Sequence, residues 1–347
     1  MNKEKFNELL RKEWTLPQSE KIKSIIRSFS IGEKVVFYGL VIIFGLSAIT
    51  LLWQVNQNFL VEVPAHGGTI IEGVIGSPRF INPLLATSDT DKDLSSLIYS
   101  GLLKKDSSGN LMPDLAQSYD ISGDGLTYTF TLKDNIQFQD GIKITADDVI
   151  FTIERVQDPG LKSPRESVWV GVKILKKNDK TIIFTLKQPY SPFINNTTLG
   201  VLPKHIWKDV SNDSFPFSAL NIKPVGSGPY SVSKVTTDSS GLPVEYNLKA
   251  NKKYVFGEPY ISNIVLKFYQ NEYALINAYN NGDIDNINSI TPQNMTAVKR
   301  IGGIIMKGIL SRVFGIFFNQ NNNPVLVSKE VRTALDQALD KQAIIDK

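Results

Sequence analysis

An α/β body with mixed sheets, preceded by one N-terminal transmembrane helix, is the fold class this sequence predicts, and three observations predict it. Val35 to Trp53 runs for 19 residues without a charged side chain. Thr127 to Leu132 and Thr181 to Leu186 place apolar side chains at every second position, the period of a half-buried strand. Between them, Val149, Ile153 and Val156 recur at helical spacing and form an apolar stripe that stops at Asp158-Pro159-Gly160.

The first of these segments is long enough to cross the hydrocarbon of a bilayer, and Trp53 suits its interface. Ser30, with Glu33 three positions later, precedes it as a capping box. Residues 1–34 carry eight Lys/Arg and five Asp/Glu, whereas the ten residues after Trp53 carry no Lys or Arg. The positive-inside rule therefore keeps the N-terminus in the cytoplasm and exports the chain beyond the span. A cleavable signal peptide is the rival, but its charged leader would be unusually long and no small-x-small site comes after the apolar run. A buried core helix is the other alternative, although it would normally show a polar face. The expected organisation begins with a basic amphipathic cytoplasmic segment (1–34), an anchor (35–53) and a linker (54–66) with Pro64 and no strong periodicity.

In the body, Gly68 to Val74 reads as a short strand and Ile75 to Pro83 as the turn-rich loop leaving it. Asp124-Gly125 and Asp140-Gly141 supply turn geometry on either side of the 127–132 hairpin region. Thr145 caps the next helix, with Asp148 three residues on. Ile264, Leu266 and Phe268 alternate as a further strand, Asn271 to Asn280 reads as a short helix, and Ser328 caps a helix whose Val331, Leu335 and Ala338 share a face.

Composition excludes several functions. With no cysteine, the chain has no disulfide, thiolate metal site or thiol nucleophile. Of the formal charge of +4, residues 1–34 account for +3, leaving +1 for the rest, so the basic balance does not mark a nucleic-acid surface. Only two histidines occur, His66 in the linker and His205 in a Pro-Lys-His turn, and no Gly-x-Ser-x-Gly elbow presents a nucleophile. Asp89-Thr90-Asp91 imitates the start of an EF-hand, but the sixth position is Leu94 and the twelfth is Ser100, so the loop lacks its turn glycine and bidentate Glu. No P-loop or dinucleotide fingerprint is present. The expectation is a protein that is not an enzyme and has no cofactor, metal or catalytic residue.

Specific motifs occur in a fixed order: Tyr99-Ser-Gly-Leu-Leu103, Met112-Pro-Asp-Leu-Ala116, Asp124-Gly-Leu-Thr-Tyr-Thr-Phe-Thr-Leu132, Phe138-Gln-Asp-Gly141 and Thr145-Ala-Asp-Asp-Val149. Pro224-Val-Gly-Ser-Gly-Pro-Tyr230, Ala250 to Tyr254 with Gly257-Glu-Pro259, Gly282-Asp-Ile-Asp285 and Val331 to Lys341 come after them. This series, from about Gly68 to Lys347, resembles the family 5 extracytoplasmic solute-binding proteins of ABC importers, which bind peptides or nickel. Ser227 stands where the family signature has Thr, and Val255 replaces an aromatic residue. The family continues past the last helix, so the resemblance implies a fragment, with the third lobe incomplete. With no cysteine for lipid modification, the 35–53 segment would be the tether.

The resemblance implies a periplasmic-binding-protein-like fold (type II, cluster C): lobe I from 67–90 and 215–287, lobe II from 91–214, and the start of lobe III at 288–347. It also implies ligand capture between hinged lobes, then docking of a monomer on an ABC permease with its ATPase subunits. In relatives the first crossover lines the cleft, which points to Thr87, Ser88 and Asp89; their bland alternative is a solvated crossover or helix cap. Phe80 and Asn82 are weaker candidates, because the Asn82-Pro83 turn has a structural reading. Trp169 is either a pocket aromatic or core packing, and Arg165 reads as a surface charge. The carboxylate with which relatives hold a peptide's amino terminus would lie beyond Lys347. A peptide is the expected ligand and a nickel complex the less favoured one; a membrane-tethered sensor or scaffold of the same fold is the alternative function.

Overall fold

A computed structural model of the chain describes residues 19–59, 63–300, 302–304 and 315–345. The first 18 residues of the expected cytoplasmic amphipathic segment lie outside them. Helix α1 (Ser19–Ser28) is succeeded by α2 (Ile31–Phe59), so the helix runs past Trp53 into the stretch read as linker. The anticipated capping box forms at its start: Glu33 Oε2 accepts from the Ser30 amide at 2.7 Å, and the Glu33 amide donates to Ser30 Oγ at 3.4 Å. Ile31–Asn56, 26 residues, is long and apolar enough to cross a membrane. At about 1.5 Å per residue it reaches about 39 Å, against about 30 Å of hydrocarbon. Leu46, Ile49, Leu52 and Trp53 are all exposed, and none of the segment is buried in protein.

The body to Thr291 is one compact unit. Its larger sheet has the order β11-β1-β10-β9-β8, built from β1 (Gly67–Ile75), β8 (Tyr230–Thr237), β9 (Pro243–Ala250), β10 (Ile261–Tyr269) and β11 (Asn286–Ile287). β1 runs parallel to both β10 and β11, while β8, β9 and β10 pair antiparallel, so the sheet is mixed as expected. Helix α6 (Glu272–Asn281) packs Leu275 and Ala278 against this sheet together with Ile284. A side chain at Gly73 would collide with Leu275 and Ile284. Asn271 caps α6, accepting from the Ala274 amide at 2.9 Å, and Gly282 ends it in the left-handed region at φ 84°.

The second sheet, order β4-β5-β7-β6, is antiparallel throughout: β4 (Ala116–Ile121), β5 (Thr127–Leu132), β6 (Lys173–Asn178) and β7 (Thr181–Thr185). The alternation read from the sequence is realised, since Tyr128, Phe130, Leu132, Ile182 and Phe184 are all buried. A small hairpin of β2 (Leu103–Lys105) and β3 (Leu111–Pro113) precedes it. Helix α4 (Ala146–Gln157) packs on β6 and β7. The Asp148 carboxylate accepts from the Thr145 amide at 2.9 Å and its hydroxyl at 3.2 Å, and from the Lys204 amide at 3.0 Å, which fixes the short helix α5 (Lys204–Trp207).

Helix α3 (Asp89–Ile98) links the two sheet regions, and two seams hold it. At its start, Asp91 completes a capping box with Ser88 and also accepts from the amides of Arg79 (2.7 Å) and Phe80 (3.0 Å). At its end, the signature loop approaches so closely that a side-chain carbon on Gly226 or Gly228 would strike the Ile98 backbone; for Gly228 the distance is 2.7 Å. The Gly228 amide donates to the Ile98 carbonyl at 2.8 Å, and Gln139 Nε2 donates to the same oxygen at 3.2 Å. Ser227 Oγ accepts from the buried Ser100 amide at 3.3 Å, so the serine can fill the family threonine's place.

Residues from Pro292 form a separate unit with α7 (Lys329–Gln337), capped by Ser328 as anticipated, and α8 (Lys341–Ile345). No described residue of this unit is buried.

Gly228→Ala is expected to lower stability by about 2–3 kcal/mol, because all three obstacles, Leu97 O, Ile98 C and Ile98 O, are backbone. Gly123→Ala, in open space, should change it by less than about 0.5 kcal/mol. Urea midpoints compare them; equal midpoints would refute the close-approach reading.

Candidate functional site

A cavity of about 180 Å³ opens beside α3. One wall is a face of the helix itself: Lys92, Ser95, Ser96 and Tyr99 recur three or four residues apart and so stack along one side. The chain entering the helix contributes Pro83 and Ala86, the turn around Trp169 contributes Arg165 and Val168, and Asn195 to Gly200 close the far side. This is well below the size of a drug-sized ligand site, so the space suits one chemical group of a ligand.

The walls are tied together through the backbone. Ser163 Oγ donates to the Leu84 carbonyl at 2.6 Å while accepting from the Arg165 amide at 3.1 Å, which fixes the Arg165 turn across from the Pro83–Ala86 segment. Trp169, 1% exposed, packs against Phe193 (ring centroids 5.4 Å apart) and Phe184 (5.7 Å). Its carbonyl and that of Val172 each accept from Gln157 Nε2 at 2.7 Å. Trp169 is therefore both core and lining, which joins the two alternatives the sequence left open.

The hydroxyls of Ser95 and Tyr99, residues 7% and 4% exposed, have no hydrogen-bond partner among the described residues. Burial pushes the Tyr99 phenol well above its usual range, so it stays protonated and able to donate.

The sequence candidates other than Trp169 stand outside this cavity. Thr87, Ser88 and Asp89 are exposed at its edge, directly after Ala86, and do not line it. Ser88 Oγ accepts from the Asp91 amide at 3.1 Å, the cap reading. Asp89 pairs loosely with Lys92 at 3.6 Å. Phe80 packs on the core with the Arg79 guanidinium 5.9 Å from its ring centroid. Asn82 is fully buried: Nδ2 donates to Asn221 Oδ1, and Oδ1 accepts from the Leu84 amide, each at 3.0 Å. That side chain holds the loop leaving β1 against the segment at Asn221 and is not among the cavity's lining. Sequence reasoning passed over Lys92, Ser95, Ser96, Tyr99, Asn195 and Asn196, and read Arg165 as a surface charge. The helical spacing of the first four was the available signal.

A second cavity, also about 180 Å³, lies where Leu115, Ile136, Ser227 and Tyr254 meet. Beside it, Lys104 Nζ donates to the Tyr254 hydroxyl at 3.3 Å and sits 3.5 Å from the Phe256 ring centroid, with Lys133 4.3 Å from the same ring. Asp114 is buried with one oxygen unpartnered among the described residues. Burial pushes its carboxyl up to about 6, only partly offset by the Ser100 hydroxyl and the ammonium groups of Lys104 and Lys133.

Comparison with known proteins places this geometry. Residues 110–347 match the model of the bacterial extracellular solute-binding proteins, family 5 Middle. The chain belongs to this family. It is 32% identical over 286 residues to the oligopeptide-binding protein AppA of Bacillus subtilis, covering 81% of this chain and 52% of that protein. The structure of AppA in complex with a nonapeptide superposes with a TM-score of 0.62 at 33% identity, covering 68% of this chain and 47% of AppA. The ABC transporter substrate-binding protein CtaP of Listeria monocytogenes gives a TM-score of 0.65 at 32% identity, over 81% of this chain and 56% of that one. NikZ of Campylobacter jejuni, solved with Ni(L-His), gives 0.62 at 29%, over 80% and 55%. The chain spans about half the length of the curated relatives it matches. Both the family resemblance and the α/β periplasmic-binding-protein fold expected from the sequence are thus borne out.

Because Asp114 has a folded value of about 6 against an ordinary 3.8, its contribution to stability is full below about pH 4 and is lost as pH rises through 6. Asp114→Asn should therefore stabilise the protein at pH 7.5 by on the order of 3 kcal/mol, with the gain vanishing near pH 4. Thermal melts at both pH values check this; a pH-independent difference would refute the raised value.

Proposed function

We propose that this chain is a membrane-anchored, extracytoplasmic substrate-binding component of an ABC importer that captures peptides and delivers them to a permease. The observation that carries the reading is the cavity beside α3 in a chain of this family. Its walls combine Pro83 and Ala86, from the segment assigned to lobe I, with residues between Lys92 and Gly200, from the segment assigned to lobe II, where closure of one lobe on another would compress a ligand group. Residues 67–90 with 215–287 act as lobe I, 91–214 as lobe II and 288–347 as the start of a third. Differential affinity of the ligand for the closed arrangement drives the closure. Thr87, Ser88 and Asp89, at the cavity edge, contact the ligand outside the pocket: the hydroxyls bond its backbone and Asp89 attracts an ammonium group. The Ile31–Asn56 helix is the tether, with the N-terminus cytoplasmic, and the protein works as a monomer with the permease and its ATPase subunits.

Peptide is favoured over a nickel complex because the cavity lining offers no imidazole or carboxylate to ligate a metal directly. His205 is occupied elsewhere, with Nε2 2.7 Å from Asp140.

Calorimetry of the full chain in nanodiscs against peptides of two to nine residues is expected to show saturable binding; none with any peptide would overturn the importer reading. The absence of native cysteine permits a clean topology test. In intact cells a membrane-impermeant maleimide should label Ser240→Cys and leave Ser24→Cys unmodified. The reverse pattern, or labelling of neither in intact cells with both labelled after lysis, would refute the orientation.

A further inference from the structure

The cavity beside α3 is one-sided in its chemistry. Two cations, Lys92 and Arg165, line it, and no Asp or Glu does. Arg165 pairs with no carboxylate among the described residues, and its backbone is already fixed through Ser163 and Leu84. Lys92 makes a loose contact to Asp89 at 3.6 Å, with both side chains well exposed, and a longer-range attraction to the Asp93 carboxylate. Such a pair is worth about 0–1 kcal/mol and is readily exchanged for a better-placed anion.

The neutral groups point the same way. Asn196 Nδ2 donates to the Val168 carbonyl at 3.2 Å and Asn195 Nδ2 to the Pro192 carbonyl at 3.3 Å, which leaves each amide a second hydrogen. The lining is thus rich in donors. An ionised carboxylate accepts only, takes several hydrogen bonds at once and matches the planar fork of a guanidinium. An ammonium group would meet two like charges and an excess of donors.

We propose that this cavity selects a ligand carboxylate, with Arg165 and Lys92 as its specificity-determining residues and the remaining amide hydrogens of Asn195 and Asn196 completing the acceptor's shell. The inference rests on the peptide-binding reading of the same site and names the class of peptide it takes: one presenting a carboxylate at this position. That group is either an acidic side chain or the peptide's own C-terminus.

The test titrates the full chain in nanodiscs with Ala-Glu-Ala-Ala and Ala-Gln-Ala-Ala, each as free acid and as C-terminal amide, and separately with glutarate. At least a tenfold weaker Kd is expected for Gln against Glu if the side chain is read, or for amide against free acid if the terminus is read. The preference should fall to under twofold in Arg165→Gln/Lys92→Gln, whose substituted side chains are exposed and leave the fold intact. Affinities within twofold for all four peptides would overturn the carboxylate inference and leave the peptide reading standing. A preference that survives in the double variant would also overturn it, since the carboxylate would then be held elsewhere. If no peptide binds but glutarate does, and only with Arg165 and Lys92 present, the peptide reading falls and the anion site stands. If neither binds, both fall.

Discussion

The close approach of the Pro224–Tyr230 loop to the last turn of α3 is the constraint on which the rest of the body depends. Two backbones can lie this near only where no side-chain carbon intervenes, and Gly226 and Gly228 satisfy that demand through bare space, without any unusual backbone angle. The contact then becomes cohesive, because the Ile98 carbonyl, free at the helix end, takes hydrogen bonds from both the loop and Gln139. Gln139 in turn donates to the Tyr230 carbonyl at 2.7 Å, and its Oε1 accepts from the Gly226 amide at 3.1 Å. One helix terminus thereby locks the start of β8 to the loop beyond β5.

The same helix carries the candidate site, so its anchorage has a functional consequence. Asp91 fastens the first turn and the Ile98 carbonyl fastens the last. The face between them, from Lys92 to Tyr99, is therefore presented at a fixed height and rotation to the Arg165 turn. Buried hydroxyls without partners among the described residues, as at Ser95 and Tyr99, are costly, by roughly 1–3 kcal/mol each, and a rigid support is what lets such groups persist. The Asn82–Asn221 pair does the complementary task for the loop that leads to this helix, holding together two segments of chain that lie 139 positions apart.

Local features were legible in the sequence because their causes are local. The strands at Thr127–Leu132 and Thr181–Thr185, the caps at Ser30, Thr145 and Ser328, and the apolar span are each set by a few neighbouring residues. The ordered motifs added the family, and hence the fold. What escaped was anything set by distant chain. The parallel pairing of Gly67 with Ile261 leaves no trace in a strand's own periodicity. Arg165 is exposed, as a surface charge should be, and its place beside the cavity is set by distant chain, through Ser163 and Leu84. Asn82 looked like a ligand contact or a turn, and its actual partner, Asn221, could not be picked out among the chain's other asparagines.

Charge distribution explains how a site with two cations can coexist with a nearly neutral body. Nearly all the formal surplus lies in the first 34 residues, so no broad field surrounds the cavity to gather anions from a distance. Beyond the Debye length, about 8 Å at physiological salt, Lys92 and Arg165 are screened from an approaching solute. On the proposed reading the same two groups, both exposed at the cavity, act through direct contact with the ligand beside the buried Trp169. Recognition there therefore discriminates after encounter, and a ligand group of the wrong charge is rejected by dissociating quickly rather than by failing to arrive.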